Sequence, residues 1–558
     1  MSWRKRRKLP TTIQVHMLDD DRDEVIGRRM NMAQKILLQN TLQQTKRKQK
    51  YKIPNALALP LQKLAMDNKW EYEGIPVLLL QLKDQLRTRK LDPFHTDDKP
   101  HFTKLWKELH THQQDGVAQI IQYYKGKALL ADDMGLGKTH QGVAIALYYM
   151  MEGRVLVVCP SYLRFHWENA LTEIGGIPPK DVLVIKKTEE KPICRFNIIS
   201  YDMLPRDKCE VNKTKFSMLI CDESHYVKNR KAKRTKAMMH IAKQCKRILF
   251  MTGTPALNRP IELFSQMHMI RPVFAKYSTH FAKRYCDGKM TDYGYDDRGH
   301  SCDEELNWLL KKVYMVRRLK RDVLNLPKKT RHTVILEINE GLLTDIRDGF
   351  AKWKKMNREL MFIQDTAIKN KKNHERKALV SELFRMTALA KVEAMQRWVK
   401  DLIEQDKPFL FFGYHMNTLD MMEDACRGKS YIRIDGSTSS EKRQQSVLKF
   451  QRGDAKIALL SIMAAGTGIT MTAASIVVFG ELFWVPGVMI QAEDRVHRLS
   501  QKHPVDIYHL LGKDTLDDHI FKNLISKLKT LDALVDKRED RTLEGETTTE
   551  FEESVIEI

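Results

Sequence analysis

Asp222, Glu223 and His225 lie together in LICDESHYVKN, residues 219–229, directly after an apolar run. Ionised groups at the end of a buried strand are costly unless something neutralises them, so this stretch calls for a cation. A second chemical stretch lies upstream in ALLADDMGLGKTHQGVAIAL, residues 128–147, where a strand-like run passes through a glycine turn into a helical pattern. Gly135, Gly137, Lys138 and Thr139 supply the closing part of a phosphate-binding loop, although Asp132 stands where the pattern has its first glycine. Glycines let backbone N–H groups face phosphates, and a helix N-terminus adds partial positive charge. In that chemistry Lys138 reaches the β- and γ-phosphates of a nucleotide, while the Thr139 hydroxyl and the Asp222 carboxylate hold magnesium. Glu223 then orients or deprotonates the attacking water. Two plainer readings stand beside this one: an ordinary tight turn at the glycines, and a helix cap at the DES triplet.

Such side chains need a scaffold that brings several strand ends together. From Lys104 onward, short β-branched runs alternate with helical patterns: KALLA, RVLVVCP, FNIIS, SMLICD and RILFMTG. That alternation is the signature of a parallel sheet wrapped by helices. Residues 330–395 are charged and helical, and the alternation resumes in PFLFFG, YIRIDG, KIALLS and SIVVFGE. The predicted fold is α/β, with two parallel-sheet lobes and a helical insertion between them. Its predicted parts are a basic N-terminal tail or helix over 1–55 and a region without assigned role over 56–103. A first lobe follows over 104–329, the insertion over 330–395, a second lobe over 396–530 and an acidic C-terminal tail over 531–558.

Hydrophobic residues make up 42% and charged residues 30% of the 558-residue chain, proportions of a globular protein large enough for several domains. A net charge of +24 favours a polyanionic partner, nucleic acid before acidic membrane, though it could serve solubility alone. Eight cysteines form no Cys-x-x-Cys pair, which points to a reducing compartment without a disulfide framework. His280, Cys286, His300 and Cys302 cluster, but not at a usual zinc spacing. The most apolar long stretch, from Ile469, carries Glu481 and Pro486 and reads as buried strand plus loop, not as a membrane span. Arg4–Lys8, RKRRK, could be a nuclear import signal or a solvated basic tail, and no secretory signal follows it.

HTHQQDGV, DMGLGKT, VVCPSYLRFHWENAL, DESH, TGTP, IDGSTS, SIMAAGTGITMTAA and QAEDRVHRLSQ follow one another between about residues 104 and 530. Through these motifs the chain closely resembles the Swi/Snf-type ATPases of helicase superfamily two, whose fold is two RecA-like lobes. The resemblance implies ATP and Mg2+ as cofactors and places Gln113 at the adenine. It makes Asp132, Met134, Gly135, Leu136, Gly137, Lys138, Thr139 and His140 the nucleotide-binding segment, with Asp132 the family's own residue at its place. VVCPSYLRFHWENAL is thereby implied to contact DNA, and TGTP (Thr252–Pro255) to couple hydrolysis to lobe movement. IDGSTS and SIMAAGTGITMTAA are implied to line the DNA track and the lobe interface. Arg495 and Arg498 become arginine fingers reaching across the cleft to the γ-phosphate, where a fixed guanidinium stabilises developing charge. His225 is implied to link the nucleotide site to TGTP, a helix cap being its alternative.

Within that family DESHYVKN, FAKRYCDG, VRRLKRDVLNLPKK and GELFWVPGVMIQAEDRVHRLSQ look most like the HARP-type annealing helicases, which rewind DNA with ATP. The FAKRYCDG match makes the histidine–cysteine cluster ordinary framework. No clear HARP repeat, zinc finger or C-terminal nuclease-like domain is recognisable. MAQKILLQNTLQQTKRKQK is faintly similar to the helix with which one branch member contacts single-strand-binding protein; a plain solvated helix is the alternative. The expected function is a nuclear, DNA-dependent ATPase that translocates on DNA and rewinds or remodels forks and branches. Its lysines and arginines would grip phosphates with little sequence preference. A nucleosome remodeller is the alternative within the class. A catalytically inactive DNA-binding scaffold is opposed by the presence of every residue the chemistry requires.

Overall fold

The computed structural model describes residues 99–535 apart from 257, 292–293, 364, 464–468 and 499, together with short stretches upstream. Seven strands form the first sheet: β1 (Lys127–Leu130), β2 (Val155–Cys159), β3 (Val182–Val184), β4 (Phe196–Ser200), β5 (Met218–Asp222), β6 (Arg247–Met251) and β7 (Met315–Val316). They pair in the order β7-β1-β6-β5-β2-β4-β3, every pair parallel. Six strands form the second: β8 (Lys329–Leu336), β9 (Phe409–Gly413), β10 (Tyr431–Ile434), β11 (Ile457–Ser461), β12 (Ile476–Phe479) and β13 (Val505–Gly512). Their order is β8-β13-β12-β9-β11-β10, again wholly parallel. These are the two parallel-sheet lobes expected from the sequence.

Parallel strands require crossover helices on the faces, so central strands are buried on both sides and read as continuous apolar runs. Strand alternation then sorts their side chains into two cores. Leu129, Leu156, Leu219 and Phe250 pack on one face of the first sheet, and Leu130, Val157, Ile220 and Leu249 on the other. Leu410 and Phe412 are divided in the same way from Phe409 and Phe411 in the second sheet. Helix α1 (Lys138–Tyr149) follows the loop after β1 and lies tight on the first sheet. A Cβ on Gly142 would stand 2.7 Å from Met251 Sδ, so that approach requires glycine.

The helical insertion consists of α2 (Glu340–Phe362) and α3 (Thr366–Glu404). Asn339 caps α2 by accepting from Gly341 N at 2.9 Å. Trp353, Leu383 and Phe384 root the pair in the core of the second lobe. Before the helices, however, residues 329–336 pair with β13 as an edge strand, so the second sheet begins ahead of the expected boundary. KTRHTVIL carries charge because one edge of β8 is unpaired and its side chains are half exposed, which hid the strand.

The expectation of a tail over 1–55 is corrected where the structure describes it. Strands at Thr12–Met17, Arg22–Arg28, Lys50–Pro54 and Glu71–Glu73 form a four-stranded sheet. The first pairs antiparallel with the second and parallel with the fourth, and the second pairs antiparallel with the third. TIQVHM alternates as a strand should, but the many charges around it obscured the pattern. Segment 32–49, the Arg4–Lys8 cluster and residues 536–558 lie outside the described residues. Helix α4 (Pro486–Glu493) precedes β13, and helix α5 (Leu516–Val535) follows it. No described helix is long and apolar enough to cross a membrane.

Candidate nucleotide site between the lobes

In the first sheet β6 separates β1 from β5, so the carboxyl ends of these three strands are neighbours. This collects the glycine loop, TGTP and DESH on one side of the sheet, where open α/β sheets bind ligands. The loop after β1 is gripped by the chain that follows β7. Asp132 is fully buried, and its Oδ2 accepts from Arg318 Nη1 and from Gln141 Nε2, both at 2.9 Å. Its Oδ1 accepts from Arg318 N at 2.9 Å. A buried carboxylate so completely paired shapes the loop instead of meeting a ligand. Arg317 Nη1 donates to the Ala131 carbonyl at 2.6 Å, and Nη2 stands 3.7 Å from Asp133.

Gly135 and Gly137 take left-handed conformations, with φ 88° and 73°. A Cβ on Gly137 would stand 2.1 Å from Gln113 Nε2, so the glutamine rests directly on the loop. Gln113 Nε2 donates to the Leu136 carbonyl at 3.2 Å, and its Oε1 accepts from His110 N at 3.0 Å. Met134 packs beside Gly253 and into the core of the second lobe, Leu136 is buried, and His140 is exposed on α1. Lys138 opens α1, and its Nζ donates to the carbonyls of Asp132 at 2.8 Å and Asp133 at 3.2 Å. Burial lowers its pKa against the opposing pull of Glu223, Asp132 and Asp222.

Asp222 ends β5, where Oδ2 accepts from Trp167 Nε1 and Oδ1 from Glu223 N, each at 2.9 Å. Burial, and then the charge of Glu223, push its pKa up. Glu223 adopts φ 50° and ψ 52°. Its Oε2 lies 3.3 Å from His225 Nδ1 and has no well-directed hydrogen-bond partner among the described residues. Burial pushes the Glu223 pKa up, but His225, Lys138 and Arg495 together hold it below the ordinary value. His225 Nδ1 also stands 3.5 Å from Thr252 Oγ1, which accepts from Thr254 N at 3.2 Å. Thr254 Oγ1 in turn accepts from Gln491 Nε2 at 3.2 Å, and Gln491 belongs to α4 of the second lobe. A chain of polar contacts thus runs from Glu223 across the cleft.

Arg495 and Arg498 directly follow α4. Burial lowers both pKa values, that of Arg498 to about 9 with Arg495 adding to the effect, and Glu223 of the opposite lobe acts the other way on both. A Cβ on Gly135 would lie 3.7 Å from Arg498 Cγ and 3.6 Å from Lys320 Cε, so both side chains lie over the loop. Arg498 Nε donates to the Asp494 carbonyl at 3.0 Å, and Nη1 to Thr470 Oγ1. Lys320 reaches Asp494 at 3.0 Å and the His497 carbonyl at 2.9 Å. Lys329 pairs with Glu493 at 3.0 Å and Asp494 at 3.7 Å. Arg331 holds Glu493 through Nε at 2.9 Å and Nη2 at 2.6 Å. Burial pushes Glu493 up, yet Arg331 and Lys329 outweigh it and hold its pKa far below the carboxylate range.

Thr139, in the first turn of α1, and Asp222 are the residues that would hold Mg2+. The burial of Asp222 beside a second carboxylate, and the undirected Oε2 of Glu223, fit a place that takes a divalent cation. Sequence reasoning missed Trp167, Arg317, Arg318, Lys320, Lys329 and Arg331. The dense basic run VRRLKRDVLNLPKK was the available signal, since the acids Asp132 and Asp133 needed partners. In the second lobe a groove of about 480 Å³ is lined by Arg433, Asp435, Ser437, Thr438, Lys442 and Lys449 among others, which places IDGSTS on a basic surface. His300 Nδ1 bonds Asp303 Oδ2 at 2.7 Å, and among the described residues no group of three His, Cys, Asp or Glu side chains is arranged around a metal.

Residues 112–399 match the SNF2-related domain, and residues 390–500 the helicase conserved C-terminal domain. The chain is 39% identical over 436 residues to SWI/SNF-related matrix-associated actin-dependent regulator of chromatin subfamily A-like protein 1 of Xenopus tropicalis, covering 77% of this chain and 45% of that protein. It is 35% identical over 447 residues to DNA annealing helicase and endonuclease ZRANB3 of Homo sapiens, covering 77% and 40%. The chain spans about half the length of the curated relatives it matches. The Sulfolobus solfataricus SWI2/SNF2 ATPase core in complex with dsDNA aligns with 77% of this chain and 97% of its own, at 21% identity and a TM-score of 0.38.

Proposed function

The chain belongs to the family of the SNF2-related domain, which matches just over half of it, and on that footing we propose that it is an ATP-dependent DNA translocase that rewinds or remodels forked and branched DNA. The observation that carries this reading is the meeting of Lys138, Asp222 and Glu223 of one lobe with Arg495 and Arg498 of the other. In it, Lys138 and the loop amides hold the β- and γ-phosphates of ATP, and Gln113 holds the adenine. Glu223, kept ionised by His225 and Lys138, accepts the proton of the attacking water. Arg495 and Arg498 stabilise the charge that develops on the transferring phosphoryl. Mg2+ held by Thr139 and Asp222 would neutralise the phosphate oxygens. Because one site draws on both lobes, each turnover is tied to lobe closure, and the contact from Gln491 through Thr254 and Thr252 to His225 carries that coupling.

DNA would lie along the basic groove near Arg433 and Lys442, gripped through phosphates. The fork preference rests on likeness to a relative named as an annealing helicase, and nuclear action on likeness to a relative named as a regulator of chromatin. The test is ATPase activity on forked, blunt duplex, single-stranded and nucleosomal DNA, with re-annealing of a bubble held open by single-strand-binding protein. Forked DNA should stimulate most, and Lys138→Ala should neither hydrolyse ATP nor close the bubble. Best stimulation by nucleosomes, with sliding of histone octamers, would replace this reading with a chromatin remodeller.

A further inference from the structure

The far end of the α2–α3 pair takes no part in the nucleotide site. Leu360 is buried, Arg376 Nη1 donates to Asn357 Oδ1 at 3.0 Å, and Lys372 pairs with Glu359, so the two arms are cross-tied well beyond their root. Nine helical steps lead from the rooted Trp353 to Phe362, a reach of about 14 Å. At that end Phe362 is 83% exposed, more than any other large apolar side chain among the described residues, and Ile368 is 53% exposed. An aromatic ring held in water on a stiffened arm contributes nothing to the core. Its surroundings are strongly charged: residues 351–378 contain nine lysines and arginines against three acids, so the tip repels cationic surfaces and attracts anionic ones. Lys352, Lys354, Lys355, Arg358, Lys371 and Lys377 are all exposed.

Cations that can hold phosphates, beside an aromatic ring that can stack on a base, are the ingredients of single-strand recognition. We propose that this tip binds nucleic acid at the junction between duplex and single strand, with Phe362 stacked on an unpaired base and the surrounding lysines on the flanking phosphates. An intact duplex keeps its bases paired and stacked, so Phe362 finds an open face only where the strands part. The tip would thus give the motor its preference for forks, and to that extent the proposal rests on the translocase reading.

The experiment uses the full chain and a fluorescently labelled fork, read by anisotropy, with relaxed, covalently closed duplex circles as competitor. Phe362→Ala should weaken fork binding about tenfold, the scale of losing one base–aromatic stack. Binding to circles, and ATPase stimulated by circles, should stay within about twofold of the parent protein on the same scale. Phe362→Trp should restore fork affinity, and Lys354→Glu with Lys355→Glu should weaken both DNAs and flatten their salt dependence. Unchanged fork affinity in Phe362→Ala, or an equal loss on fork and circle, overturns the proposal and leaves the tip to a protein partner. A parent protein whose ATPase ignores all DNA would sink the translocase reading instead, and the anisotropy comparison would still decide the tip.

Discussion

Glu223, at φ 50° and ψ 52°, occupies the left-handed region, which costs a residue with a Cβ about 1–2 kcal/mol. The bend seats its carboxylate against His225, within the fields of Lys138 and Arg495. Replacing it by glutamine keeps shape and removes the base. Glu223→Gln should therefore bind nucleotide normally while kcat falls about 10²- to 10⁴-fold, the usual contribution of a general base. Fluorescent-nucleotide titration beside steady-state ATPase checks both halves, and near-normal turnover would free Glu223 from its role. Arg495→Ala and Arg498→Ala should each lower kcat by up to the order of 10³-fold with little change in KM. A raised KM at constant kcat would instead make that arginine a ground-state binder. Residue types and order were enough to single out these positions, and the structure brings them to one cleft; the roles assigned to them are what these variants test. The left-handed bend was not legible, because nothing in DESH specifies backbone angles. Nor was the burial of Trp167, which serves Asp222 from within a motif read as a DNA contact.

Elements buried on both faces were the easiest to read, as continuous apolar runs such as RVLVVCP and PFLFFG. Two-residue β7, half-exposed β8 and mixed VDIYHLLG carry weaker patterns, because edge pairing and polar neighbours relax the demand for apolar residues. The loop after β1 is held as an element by the Asp132–Arg318 pair, which joins it to the chain following β7, 186 residues away in sequence. Arg318→Met strands a fully buried carboxylate and should cost about 3–5 kcal/mol in urea unfolding, with Asp132→Asn added to it recovering part. Strand β13 carries a second dependence. The His509 ring stacks on Phe479 at 5.2 Å, and burial lowers its pKa to about 4. Unfolded, it would titrate near 6.5, so between those values the unfolded chain binds a proton that the folded chain refuses. Stability should fall as pH drops from about 6.5 towards 4, by up to about 3 kcal/mol from this residue. His509→Phe should flatten that slope in melting curves at pH 7 and pH 5; an unchanged slope would assign it to other groups.

For the molecule as a whole, a surplus of +24 charges predicts DNA binding that weakens steeply with salt and varies little with base sequence. Anisotropy between about 50 and 200 mM salt checks this, and a flat response would contradict phosphate-led recognition. Among the groups through which the two lobes meet, one is unusual in its connectivity. Asp494 pairs with both Lys320, which follows the first sheet, and Lys329, which opens the second. A single carboxylate therefore gathers both ends of the connecting chain, which runs between them as a short helical turn, Lys320–Val323, and an extended stretch over 324–328. Fully drawn out, nine peptide steps measure roughly 30 Å. The joint thus stores slack: with the side-chain contacts across the cleft released, the lobes can separate over a long travel before the backbone becomes taut. The backbone tether leaves room for the lobes to part, so side-chain contacts hold them together at rest, Lys320–Asp494 and Gln491–Thr254 among them.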